Sequence, residues 1–211
     1  MWGRWIMALG GLLAVLLTPP FALSYFAAYP TGRESPPGWL AALRAPLVDI
    51  GLVGVDPTAA YDAYGLLYLA AWVVGLIGLI GVLSERWAVY PRPVRRAWTA
   101  ALACLALVAV GMLGDYGLPD DLGSMSGFAL TVISFLASTV AFAFLGRRMR
   151  RYLGVRRRAA WSIALLGVVS VVGGMALVGH IPSGPGLGFA VAALVAGLTR
   201  PRGRTRRTQP A

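Results

Sequence analysis

The 211 residues contain a single cysteine, a single histidine and no lysine. Cys104 has no partner in the chain, so an intrachain disulfide framework is excluded and the redox compartment stays open. Structural zinc, which needs four Cys or His ligands, cannot be built. Bis-histidine haem and cysteine-ligated iron–sulfur clusters fail on the same count, and no cofactor is expected. Acids are scarce too, eight against nineteen arginines, for a net charge of +11. Asp115, Asp120 and Asp121 lack the alternating spacing of a calcium loop, so no metal is expected. Charged residues make up only 13% of the chain, about half the usual soluble share, whereas 58% is hydrophobic. Too little polar surface remains to cover a water-soluble globule. A soluble enzyme is excluded, and so is a nucleic-acid binder, since the arginines are confined to short segments.

Charge-free runs carry the architecture. They cover residues 5–32, 63–84, 97–114, 122–146 and 159–199, and about 20 apolar residues cross a bilayer as helix. The last run would be about 62 Å long as one helix, so it must turn, and Ile181-Pro182-Ser183-Gly184-Pro185-Gly186 supplies the punctuation. The expected fold is an all-α, polytopic bundle of six transmembrane helices near 5–29, 61–84, 95–114, 124–146, 160–180 and 186–199. They form one membrane domain over 1–199, with an outer loop at 30–60 and a basic, disordered tail at 200–211. A re-entrant sixth segment is the competing reading, since only about 14 apolar residues follow the turn. Six spans place 17 arginines on one side against Arg33 and Arg44 on the other, with seven of eight acids on the arginine-poor side. By the positive-inside rule both termini are cytoplasmic, in a bacterial plasma membrane. Arg4 and the apolar stretch before Ala22-Leu23-Ser24 also allow a cleaved signal peptide. If the first helix is retained, Pro19-Pro20 should kink or break it.

Helices 2–3 and 4–5 resemble each other. Gly65 to Trp98 and Gly127 to Trp161 span 33 and 34 residues. Each unit carries a basic loop ending in Trp, and each closes on Gly-polar-x-Pro punctuation, with two further residues before the proline in the first, which suggests a parallel repeat. The repeat makes Asp115 and His180 equivalent, a carboxylate–imidazole pair near the outer boundary. As a pair they would transfer protons or capture a polar ligand; singly, each would merely cap its helix end. Facing each other, they would raise the imidazole pKa, with Tyr116 and Ser183 as neighbouring donors. Helix 2 lines up Tyr61, Tyr64, Tyr68 and Trp72 on one face, and Trp72 lies too deep for an interfacial belt. Helix 4 aligns Gly127, Thr131, Ser134 and Ser138, and helix 5 aligns Gly167, Ser170 and Gly174. Such faces serve tight packing or line a pocket. The segment Gly38–Val48 reads as an interfacial strap across the outer mouth.

Gly114-Asp115-Tyr116, together with Gly179-His-Ile-Pro-Ser-Gly-Pro185, resembles a group of bacterial, actinobacterial-type multi-pass membrane proteins. The resemblance covers most of the chain and implies membrane location, without an activity. Six short spans with both termini inside are also similar in architecture to the substrate-capturing subunits of vitamin-uptake transporters, though no binding motif of theirs matches here.

The leading functional expectation is a non-enzymatic membrane protein, acting alone or as a transporter subunit. Its small outward-facing pocket would take an apolar or amphipathic ligand. Tyr64, Tyr68, Trp72, Thr131, Ser134 and Ser138 would line that pocket, with the 38–48 strap covering it. One alternative is an accessory protein whose small-residue faces bind a membrane partner. Another is an outer-leaflet enzyme using Asp115 and His180. Beyond the lipid bilayer, partners are a small ligand or a membrane protein; nucleic acid is not expected.

Overall fold

A computed structural model describes residues 2–29, 35–53, 56–118 and 121–199. Arg33, Asp120, the Asp121 side chain and the 200–211 tail lie outside that description. Among the described residues all regular structure is helical: α1 (Trp2–Ala28), α2 (Gly38–Ala42), α3 (Arg44–Asp49), α4 (Pro57–Ser84), α5 (Arg92–Gly117), α6 (Asp121–Leu153), α7 (Arg157–Val168), α8 (Gly174–Val178) and α9 (Ser183–Leu198). A π-helical segment, Val169–Gly173, joins α7 to α8 into one continuous helix. That helix and α1, α4, α5 and α6 are long and apolar enough to cross a membrane. Helix α9 has 16 residues, about 24 Å, which is short of the hydrocarbon thickness.

Local chemistry sets several ends. Asp56 caps α4, its carboxylate accepting from the Thr58 and Ala59 amides at 3.0 and 3.1 Å, with Pro57 at the first helical position. The helix therefore starts four residues before the expected 61. Arg150 and Arg151 occupy the last turn of α6, where cations favour the helix dipole. Gly179 ends α8 with φ of 71°, a left-handed position that suits glycine. Pro19-Pro20 does not break α1, which is helical throughout. The Thr18 and Ser24 hydroxyls donate to the Ala14 and Pro20 carbonyls on either side of the prolines.

Helices that cross lipid would gain nothing hydrophobic by pairing, so close backbone approach and packing would have to hold them. Glycine supplies that approach. A methyl at Gly10 would stand 2.2 Å from the Gly75 nitrogen, and one at Gly78 would stand 2.1 Å from the Met7 nitrogen. The start of α1 therefore lies against the end of α4. Gly11 meets Ala190 and Leu194, and Gly197 meets Arg4 and Ala8, so α9 also runs antiparallel to α1. Gly111 and Gly114 pack on Gly127, and Gly146 packs on Ala160 and Ala164. This alternation collects Arg4, the loop after α4 and the Arg147–Arg158 region at one end. Asp56, Asp62, Asp115 and His180 lie at the other.

Candidate functional site

Two features stand out along the bundle: a polar string at the arginine-poor end and an apolar cavity in the arginine-rich half.

The string begins in the α8–α9 turn. His180 Nδ1 and Ser183 Oγ lie 2.7 Å apart, and His180 Nε2 lies 3.3 Å from the Tyr61 hydroxyl. Tyr61 continues to the Tyr116 hydroxyl at 3.1 Å. The string thus ties α4, α5 and the start of α9. Phe21 of α1 packs edge-on to the imidazole at 4.9 Å between centroids and touches Tyr61, Tyr68 and Tyr116 at 5.4 to 5.5 Å. His180 is 2% exposed and Ser183 0%, so this pair offers no face to a substrate.

Asp115 does not hold the imidazole. Its carboxylate accepts from Ser124 Oγ at 3.0 Å, and both hydrogen bonds of His180 go elsewhere. The expected rise in the histidine pKa is also reversed. Burial among aromatic rings pushes it from 6.5 down to about 3, so the ring is neutral, one nitrogen donating and the other accepting. An unfolded histidine titrates near 6.5, so in acid the unfolded state binds the extra proton. The contribution of His180 to stability is complete above about pH 6.5 and is lost as the pH falls toward 3. No other histidine titrates in the upper part of that window. The midpoint of thermal unfolding should therefore drop between pH 7 and 5.5, and His180→Gln should flatten that slope. A slope unchanged by the substitution would contradict the buried neutral ring.

Other predicted site residues disperse. The Tyr64 hydroxyl donates to the Leu52 carbonyl, fastening the outer loop. Tyr68 is fully buried, with its hydroxyl against Gly186. Thr131, Ser134 and Ser138 are buried as well, but none of them lines the cavity. Ser138 donates to the Phe135 carbonyl at 2.6 Å, while Thr131 sits against Gly111 in the α5–α6 seam. No residue of the 38–48 strap lines this cavity either. Leu40 is buried with Ala22, Leu23, Val53 and Val178, and the Trp39 indole donates to the Leu177 carbonyl at 2.7 Å. The strap seals the tops of α1 and α8.

The cavity has a volume of about 210 Å³, and α1, α4, α5, α6, α7 and α9 all contribute to its wall. Ala14, Gly75, Ala190, Ala192 and Ala193 leave the space, Gly10 and Gly11 border it with backbone, and Trp72, Phe142 and Phe189 bound it. Trp72 stands at its inner limit, its indole N–H donating to the Leu105 carbonyl at 2.9 Å. It packs edge-on to Phe135 and Phe189 at 5.7 and 6.0 Å. From there the lining runs toward the arginine-rich end through Leu76, Leu79 and Met7 to Trp98 and Ala196. This is the half opposite to the expected outward-facing pocket. The Trp98 indole nitrogen is buried without a hydrogen-bond partner, as are the Thr131, Ser134 and Ser170 hydroxyls, but among these Trp98 alone lines the cavity.

Of the expected lining residues, only Trp72 reaches the cavity. Trp98 carried no sequence signal beyond its place in the repeat. The alanines and glycines of α1 and α9 are indistinguishable by composition from packing residues.

No family model, curated protein or solved structure matches the chain. The resemblance to bacterial multi-pass proteins therefore brings no residue roles to these two features.

Proposed function

We propose that the protein spans the bacterial plasma membrane six times with both termini cytoplasmic. In this reading it is non-enzymatic and holds a small apolar or amphipathic molecule in the central cavity, reached from the cytoplasmic half. The carrying observation is the cavity itself, which is apolar, walled by all the long helices and α9, and bordered by one indole donor without a partner. The arginine-rich end supports the orientation. The repeat belongs to the same reading and rests on the matched Gly-to-Trp spacings of 33 and 34 residues in α4–α5 and α6–α7. The accessory-partner alternative has less support, because the glycine faces of α1, α4, α5 and α6 are used within the chain.

Ala193 offers the test, since it lines the cavity and is only half-buried. Decan-1-ol added to protein held in amphipol should raise the unfolding midpoint. In Ala193→Phe, whose ring fills the cavity, the shift should vanish while the unliganded midpoint holds. Equal shifts in both proteins would place decanol elsewhere and remove the proposal.

A further inference from the structure

We infer that the natural ligand is a single-chain amphiphile with an anionic head, a carboxylate or a phosphate, and that Trp98 and Arg95 read that head while the chain fills the cavity. This rests on the cavity reading above and adds the class of molecule.

The polarity of the site changes along its length. Below Trp72 the wall offers aliphatic and aromatic carbon, which suits an alkyl or isoprenyl chain and gives a head group nothing to bond. Toward the arginine-rich end the lining reaches Trp98, whose Nε1 is buried beside it without a hydrogen-bond partner. An indole N–H only donates, so what belongs there is an acceptor oxygen. Arg95 lies three residues earlier on α5, on the same helical face and about 4.5 Å nearer the arginine-rich end. Its side chain is half-buried, and it carries a fixed positive charge with several donors. An indole donor followed one turn later by a guanidinium matches an anionic head: one oxygen on Trp98, the negative charge on Arg95. A neutral alcohol would satisfy Trp98 and leave Arg95 unused. The acid at this end, Glu85, interacts with Arg86 and Arg4, which places its influence on α1 and the loop after α4.

Equilibrium dialysis of the full-length protein in amphipol tests this with three ten-carbon probes: decan-1-ol, decanoate and decyl phosphate. Wild type should bind one or both anions about tenfold more tightly than the alcohol, a charge-assisted gain of about 1.4 kcal/mol. Whichever anion binds more tightly identifies the head as carboxylate or phosphate. Arg95→Gln should bring the anions to the affinity of the alcohol, and raised salt should do so partly in wild type. Trp98→Phe should weaken all three. If wild type binds all three alike, or if Arg95→Gln keeps the tenfold preference, the head-group assignment is overturned and the cavity reading stands. If none of the three binds, both fall.

Discussion

Alanine at Gly10 is expected to unfold much of the protein, whereas alanine at Gly75, its partner across the seam, should be nearly silent. The asymmetry comes from where each new methyl would point. From Gly10 it would stand 2.2 Å from the Gly75 nitrogen and 2.8 Å from the Ala71 carbonyl oxygen, both backbone atoms of α4. Neither can turn aside, so α1 and α4 would have to separate. From Gly75 the nearest atoms are 3.9 Å away, an ordinary contact. Overpacking of this kind costs about 3 kcal/mol where the neighbour is rigid. Here it also opens a seam that has no hydrophobic drive to close it. Size-exclusion profiles and unfolding midpoints would read the contrast. Comparable losses in the two variants would mean that the helices meet with another rotation.

The second large effect belongs to His180→Ala. Removing the imidazole leaves the Tyr61 and Ser183 hydroxyls short of a partner in a sealed site and empties a volume beside Phe21 and Tyr25. Unmet buried donors cost about 1–3 kcal/mol each, and the void adds to that. A total near 3 kcal/mol is expected, read as a lowered midpoint at neutral pH. His180→Gln, which keeps a donor and an acceptor, should recover part of it. A silent alanine variant would show that the string does not tie α4 and α5 to the α8–α9 turn.

These two sites also show what could be read in the chain beforehand. Charge-free length marked the five long helices, because bilayer thickness imposes a length on apolar runs. The segregation of arginine foretold which ends lie together. Helix rotation was not legible in the same way. On α6 the Gly127–Ser138 face suited a seam or a pocket, and the approach of Gly111 to Thr131 makes it a seam. Asp115 and His180 looked like partners because the repeat aligned them. Yet Asp115 sits inside the last turns of α5, whereas His180 lies beyond the left-handed Gly179 in a turn that folds it into the aromatic cluster. The cavity escaped notice because it is made of absent side chains. Gly75 on α4 and the alanines of α1 and α9 leave the space while Gly10 and Gly11 make tight contacts beside it, and nothing in their spacing separates a gap from a contact. Trp72 was legible by depth alone, being too far from either interface for a belt residue.

Crystals of the protein soaked with 10-bromodecan-1-ol would locate the bound chain through the anomalous signal of bromine. A bromine peak is expected inside the bundle between Trp72, Leu105 and Phe189, with the hydroxyl directed toward Trp98, and no such peak in Ala193→Phe. A cavity without bromine at saturating soak, with the label found only on the outer surface of the helices, would contradict the cavity reading.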